Sequence, residues 1–254
     1  MRENALKRKL QSGEFVIGPF MNCSYGAFIE IVGMAGFDYA IIDMEHGPLE
    51  VETAEDLCRA AQGVGLSPIV RVRKNDAPQI QRALDIGSAG VQVPQIETGE
   101  GAEAVVRAAK YAPLGMRGLS FYTRAGDYTM YGVEGYTDRL NDEQLVIIHV
   151  EGVTGLQNLD AIIAVPHIDV VFLGPYDLSQ SFGIPGQVND PRVIKGMEEA
   201  TAKIRAAGKA AGTYAGDAAT AKRWIDAGVQ YISLGVDVGI FANACRDLVA
   251  QVRG

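Results

Sequence analysis

The sequence predicts a single-domain (β/α)8, or TIM, barrel, and three observations predict it. Short β-branched or apolar runs alternate with longer Ala-rich stretches of helical period along the chain, the mark of an α/β fold with a parallel sheet. About eight such units occupy the 254 residues, which is the specification of the barrel. The open doubly wound sheet, the competing architecture, normally carries a glycine-rich fingerprint after its first strand. Neither G-x-G-x-x-G nor G-x-x-x-x-G-K-[ST] occurs here.

The elements follow in order. FVIGPFMN (15–22) reads as the first strand, with a helix from near Tyr25. DYAIIDME (38–45) is the second, with a helix from Val51, and SPIVRVR (67–73) the third, with a helix from Pro78. GVQVPQ (90–95) is the fourth, followed by a helix from Gly99, and LVIIHVE (145–151) the fifth, followed by one from Gly155. VVFLGPYD (170–177), AAGTYA (210–215) and YISLGVD (231–237) complete the set, with helices from Asp190, Asp217 and Val238. Joints such as GFDYA, GSAGVQV and AGVQYI put glycine just ahead of a strand, where helix C-caps fall. The stretch 111–144, between the fourth helix and the fifth strand, is too long for a simple connection. Its aromatics and Arg117, Arg124 and Arg139 predict an ordered excursion, either functional or a cover over one barrel end or a subunit contact.

Composition excludes several classes. A formal net charge of −8 speaks against a nucleic-acid binder, which carries a basic face. No apolar run approaches the ~20 residues of a membrane-spanning helix. The opening MRENALKRKLQSGEF lacks the apolar core of a signal peptide, so the chain reads as cytoplasmic. Cys23, Cys58 and Cys245 lie far apart with no C-x-x-C, which excludes a disulfide framework and a structural zinc site.

In such a barrel the site lies at the C-terminal ends of the strands. There stand Asp43-Met44-Glu45-His46, Arg71-Val72-Arg73, Gln92 to Gln95, His149-Val150-Glu151 and Gly174-Pro175-Tyr176-Asp177. Alternation puts Asp43 with Glu45, Arg71 with Arg73, and His149 with Glu151 on common faces. Unpaired buried charge is strongly destabilising, so this concentration at one rim points to a site. Glu151 and Asp177 could hold a hard divalent cation, which takes one or two protein carboxylates and completes its shell with water and substrate oxygens. The competing reading pairs each with an arginine of the third strand. His46, before the turn Gly47-Pro48, suits general-base work, and Arg71 suits a developing anion. His149 could ligate metal or contact substrate, or be a satisfied buried histidine. His167 precedes the sixth strand and belongs to the opposite end. Nothing marks Cys23 as a nucleophile; Cys58, Cys245 and Trp224 read as packing. The strands also lack a lysine near the mouth, which a Schiff-base enzyme needs. Lys209 enters from the wrong end and Lys74 lies in a loop, so metal-assisted chemistry is the expectation.

Taken together, Asp43-Met44-Glu45-His46-Gly47-Pro48, V-R-x-x-x-N-D at 70–76, P-x-G-x-R-G at 113–118, Glu151 and G-P-x-D-L-S at 174–179 resemble the metal-dependent class II pyruvate aldolases. That group includes 4-hydroxy-2-oxoheptanedioate aldolase and the 2-keto-3-deoxy sugar-acid aldolases, and the likeness runs in order over nearly the whole chain. The resemblance implies a TIM barrel assembled as a hexamer from dimers that exchange the last helix. It implies Glu151 and Asp177 as ligands of Mg²⁺ or Mn²⁺, with Co²⁺ also admissible. It gives Arg71 to the keto or enolate oxygen, His46 to the proton of the aldol hydroxyl and Asp85 to His46 as acidic partner. The turn Gly174–Asp177, opening a helix at Leu178, would offer backbone N–H groups to the substrate carboxylate. Three positions depart from the family's usual residues. Tyr176 replaces a small residue, His149 a substrate-contacting glutamine, and Met44 a glycine; these bear on the substrate, not on the metal chemistry.

The reading that follows is reversible cleavage of a 4-hydroxy-2-oxo acid to pyruvate and an aldehyde. Its rivals are a citryl- or malyl-CoA-lyase-like enzyme, for which the chain is short and acidic, and a non-catalytic oxo-acid-binding barrel.

Overall fold

The structure, a computed structural model, describes residues 3–254. Strands β1 (Val16–Met21), β2 (Tyr39–Asp43), β3 (Ser67–Arg71), β4 (Gly90–Val93), β5 (Leu145–Val150), β6 (Val170–Leu173), β7 (Ala210–Ala215) and β8 (Tyr231–Val236) pair in parallel, each with the next. Pairing of β8 with β1 closes the barrel, as the sequence predicts. Five strands stop short of their last expected ionisable residue. Glu45, Arg73, Glu151, Asp177 and Asp237 therefore lie in the loops and helix starts above the rim rather than in the sheet.

The barrel interior is filled from both ends. Phe20, Ile41, Ile69, Ile147, Phe172 and Tyr231 point inward, and Tyr39 stacks on Tyr231 with ring centroids 4.2 Å apart. Gly18 makes room for that stack: a Cβ there would meet Tyr39 Cδ2 at 2.6 Å. Outside the sheet, a larger apolar layer joins the strands to the helices. Those helices are α2 (Gly26–Met34), α3 (Val51–Gly63), α4 (Ala77–Asp85), α5 (Gly99–Ala109), α10 (Pro191–Ala206) and α11 (Ala218–Asp226).

Three elements differ from expectation. Helix α1 (Ala5–Gln11) precedes the first strand and was not foreseen; its Leu6 and Leu10 seal the N-terminal end of the bore. Asn4 fixes it, its side-chain oxygen accepting from the Lys7 N–H and its side-chain nitrogen donating to the Ala89 and Glu143 carbonyls, both at 2.8 Å. The helix after β5 is two short pieces, α7 (Val153–Gln157) and α8 (Leu159–Ile163). They break at Asn158, whose side chain donates to the Glu97 carbonyl at 2.8 Å. Helix α9 (Pro175–Ser181) opens at Pro175 and not at Leu178, because proline suits the first helical position, where no N–H partner is needed.

The excursion at 111–144 is ordered, as expected. It leaves α5 and enters β5, so it lies at the barrel end opposite the strand C-termini. Tyr111, Ala125, Leu140 and Tyr136 of helix α6 (Tyr136–Glu143) form its own core. The buried Lys110 ammonium donates to the carbonyls of Asn141 (2.6 Å) and Gln144 (2.8 Å), and the buried Arg117 donates to the Gln144 side chain at 2.6 Å. The segment is a cover over the N-terminal end. His167 lies at that end too, lining a cavity with Lys7 and Asp169.

Helix α12 (Asp237–Arg253) closes the chain, and only Asp237 of it is buried. Its apolar residues Val238, Ile240, Phe241, Leu248, Val249 and Val252 are all exposed, so the apolar stripe does not dock on its own barrel.

Candidate active site

The strand ends build the site from an arginine outward. Arg71, the last residue of β3, donates Nε to Asp43 Oδ1 (2.8 Å) and Nη2 to Asp43 Oδ2 (2.6 Å) across the β2–β3 pair. Its Nη1 lies 2.9 Å from Glu45 Oε2. This pairing is bidentate, and the guanidinium also rests 4.5 Å over the Phe20 ring. Burial alone would lower the Arg71 pKa, but the hydrogen bond and charge of Asp43 overcome it and the net direction is upward. Burial pushes Glu45 up, against the pull of Arg71.

Asp43 also shapes the loop that carries His46. Its Oδ1 accepts the N–H groups of Glu45 (3.0 Å) and His46 (3.3 Å). Gly47 is needed because a Cβ there would collide with the Asp43 carbonyl. The exposed His46 ring hangs at the edge of a cavity of about 260 Å³, whose walls include Phe20, Arg71, Glu151, Phe172, Asp177 and Tyr214. Arg73 does not share this face. Its Nε donates to the Met44 carbonyl at 3.0 Å and its Nη2 meets Glu50 at 2.6 Å, clamping the same loop from outside, since the strand has already ended.

Glu151 and Asp177 converge on Gly174. A Cβ on that glycine would stand 2.7 Å from Glu151 Oε2 and 3.7 Å from Asp177 Oδ2. Glu151 Oε1 accepts the Gln95 N–H at 2.9 Å, with Gln95 held at φ +58°, a left-handed conformation that non-glycine residues seldom adopt. Glu151 Oε2 lies 2.9 Å from His149 Nδ1. Burial pushes Glu151 up, but His149 and the Gln95 N–H overcome it and its pKa falls below the ordinary value. Asp177, in the first turn of α9, goes the other way: burial and the negative charge of Glu151 both raise it. Among the described residues no hydrogen bond or ion pair engages its carboxylate. The expected alternative, closure of these two carboxylates by arginines of the third strand, is not made, because Arg71 is committed to Asp43 and Glu45.

Other expectations are redistributed. His149 is buried, stacks on Phe172 at 4.4 Å, and has both ring nitrogens engaged, Nε2 lying 2.5 Å from Gln92 Nε2. It lines the pocket and is placed to hold Glu151. Asp85 ends α4 at the far end of the barrel and pairs with Arg117 at 2.5 Å. Within one chain it does not meet His46, because the helix that carries it runs back from the rim. Tyr176 stands exposed at the pocket lip, 5.7 Å edge-to-face from Tyr214. Met44 is buried in the layer between strands and helices and does not line the pocket. Burial pushes the Cys23 thiol up, the wrong direction for a thiolate nucleophile. Asp237 was missed: its carboxylate accepts the N–H groups of Asn22 (3.0 Å), Cys23 (2.8 Å) and Val238 (2.7 Å), tying the end of β1 to the start of α12. An aspartate at the start of the last helix was its only signal.

The donor set suits a hard divalent cation. Two carboxylate oxygens face the space that the missing Gly174 side chain leaves, and among the described residues no Lys or Arg closes them. The described residues contain no cluster of three or more His, Cys, Asp or Glu ligands. That matches Mg²⁺-type binding, in which substrate and water complete the shell.

Comparison with known proteins agrees with this layout. The model of the HpcH/HpaI aldolase/citrate lyase family matches residues 17–244. A hydroxypyruvate/pyruvate aldolase of Cupriavidus necator is 38% identical, over 98% of this chain and 93% of that protein. A 2-keto-3-deoxy-L-rhamnonate aldolase of Klebsiella pneumoniae is 37% identical over 98% and 93%. The crystal structure of a family member from Burkholderia cenocepacia superposes with a TM-score of 0.94 at 32% identity, covering 99% of this chain and 100% of that one. A barrel whose rim gathers two unneutralised carboxylates, a clamped arginine and a loop histidine, and whose sequence matches over nearly its whole length, belongs to the HpcH/HpaI aldolase/citrate lyase family.

Proposed function

We propose that the protein is a divalent-cation-dependent aldolase that reversibly splits a 4-hydroxy-2-oxo acid into pyruvate and an aldehyde. The observation that carries the reading is the convergence of Glu151 and Asp177 on the bare face of Gly174 beside an arginine already neutralised by others. The aldolases among its relatives support the reaction type. Glu151 and Asp177 would hold Mg²⁺ or Mn²⁺, which supplies electrophilic polarisation of the 2-oxo group when bound.

The chain's own residues divide the rest. Arg71 has five N–H donors; two are spent on Asp43 and a third edge faces Glu45, leaving others for the substrate oxygen on which charge develops. Asp43 and Glu45 keep that guanidinium in one orientation before substrate arrives. His46 is free at the pocket edge to take the hydroxyl proton of the aldol during cleavage and return it in the reverse direction. The Tyr176 and Asp177 N–H groups precede the first intrahelical bond, Leu178 N–H to the Gly174 carbonyl at 3.0 Å, and would be offered to the carboxylate of the 2-oxo acid. Phe20, Phe172 and Tyr214 screen the reacting carbons from water.

The exposed stripe of α12 supports a homo-oligomer, and the proposal follows the family resemblance to a hexamer with that helix exchanged. Asp85 keeps its place as partner of His46 only by reaching the pocket of a neighbouring copy. A cytoplasmic setting stays part of the proposal; no helix among the described residues is long and apolar enough to cross a membrane.

The test is pyruvate release from 4-hydroxy-2-oxo acids with and without EDTA. Activity should vanish with the chelator and return with Mn²⁺ or Mg²⁺. Activity that survives exhaustive chelation, or covalent trapping by borohydride, overturns the reading.

A further inference from the structure

Behind the pocket, a chain of buried polar groups runs along the barrel bore. The Ser233 hydroxyl lies 3.3 Å from the Tyr39 hydroxyl, and the Tyr39 and Tyr231 rings stack with centroids 4.2 Å apart. The Tyr231 hydroxyl donates to Gln92 Oε1 at 3.2 Å. Gln92 Nε2 then meets His149 Nε2 at 2.5 Å, and His149 Nδ1 meets Glu151 Oε2 at 2.9 Å. All five of the residues behind Glu151 are at most 1% exposed, and α1 seals the far end of the bore. Side-chain groups, not bulk water, therefore set the proton positions.

The directionality follows from the donor inventory. A tyrosine hydroxyl that donates to Gln92 turns the amide oxygen toward Tyr231 and the NH₂ toward His149. An amide NH₂ facing Nε2 requires that nitrogen to accept. The ring proton then sits on Nδ1, the nitrogen that faces Glu151. We propose that Gln92, oriented by Tyr231, is a positioning residue: it fixes neutral His149 as the Nδ1–H tautomer, so that the ring donates to Glu151 and holds its carboxylate toward Gly174. With the Gln95 N–H on the other oxygen, Glu151 is gripped at both oxygens and cannot rotate. This rests on the aldolase reading only for what the aligned carboxylate binds.

The test uses the full-length protein labelled with ¹⁵N-histidine, free of added metal. Only three histidines are present, and His149→Gln identifies the signals of interest. The expected result is a neutral ring with a protonated Nδ1 and an unprotonated Nε2. Gln92→Met, close in length but unable to donate, and Tyr231→Phe, which removes only one hydroxyl, should each shift the ring toward the other tautomer. Far-ultraviolet circular dichroism and the melting temperature establish that both variants fold. A wild-type ring protonated on Nε2, or doubly protonated, overturns the proposal, as do ring shifts unchanged in both folded variants. A second arm titrates Mn²⁺ by electron paramagnetic resonance. Loss of such an outer partner typically weakens metal binding by about 10- to 100-fold, so Gln92→Met should do so here. Affinity equal to wild type overturns the positioning role. Absence of Mn²⁺ binding in the wild type defeats the aldolase reading instead, while the ring shifts still decide the tautomer.

Discussion

Arg71 and His46 occupy one pocket but are held in opposite ways. The arginine is buried and clamped by two carboxylates; the histidine is exposed, and among the described residues nothing engages its ring. This predicts separable defects. His46→Ala should slow carbon–carbon cleavage yet leave exchange of pyruvate methyl protons in D₂O largely intact. Arg71→Lys keeps the charge that Asp43 and Glu45 require but loses the fork, so it should damage both reactions by about 10²–10³-fold. Equal loss of exchange in the two variants contradicts the division. Glu151→Gln and Asp177→Asn should each abolish Mn²⁺ binding and turnover; near-native turnover at saturating Mn²⁺ in either removes that residue from the ligand set. At this scale the rim was legible because its strands are otherwise apolar, so every ionisable group stood out. The pairings were not. Alternation assigned Arg73 to the pocket, but alternation ends with the strand, and Arg73 turned to the loop at Leu49 and Glu50. Gln92 and Tyr231 went unmarked as a pair, since residues 139 apart give no joint signal until the barrel closes.

Helix α1 and the excursion at 111–144 show how elements serve one end of a barrel while the chemistry occupies the other. Leu6 is 1% exposed against the interior stack, so Leu6→Ala should lower the unfolding free energy by about 2–5 kcal/mol and leave the rates of the remaining folded enzyme near wild type. Denaturant unfolding measured beside turnover checks this. Lys110 links the excursion to α5, and burial lowers its pKa to about 8 from an ordinary 10.5. Between those values the unfolded chain holds more protons than the folded one, so this group makes stability rise with pH from about 8 to 10.5. The urea midpoint of wild type should therefore climb more steeply over that interval than that of Lys110→Met, and parallel curves contradict the assignment. All eight barrel strands and most helices were legible from periodicity. Helix α1 was missed because seven residues give too little periodicity to read, and its stability comes from capping the barrel rather than from its own sequence.

The whole molecule displays more apolar surface on α12 than its barrel can cover, with Ile31 and Met34 of α2 likewise exposed. Sedimentation at micromolar concentration should therefore give an oligomer, and Phe241→Glu, 61% exposed in the single chain, should shift it toward smaller species. A monomeric wild type contradicts the exchanged-helix assembly. The barrel itself was readable because strand count and length agree. The fate of the last helix was not, since the same apolar stripe suits its own barrel or a neighbour's. The clamping of Arg71 has one more consequence. Among the described residues, Asp43, Glu151 and Asp177 line a small cleft with a single guanidinium, flanked by Glu45, so the mouth is an electronegative funnel. Low-dielectric walls focus such a field, drawing cations in and turning anions away. Arrival is thereby ordered. An oxo-acid anion should give no measurable heat of binding in a calorimeter until a divalent cation has been added, and the rate of cation capture should fall as ionic strength rises.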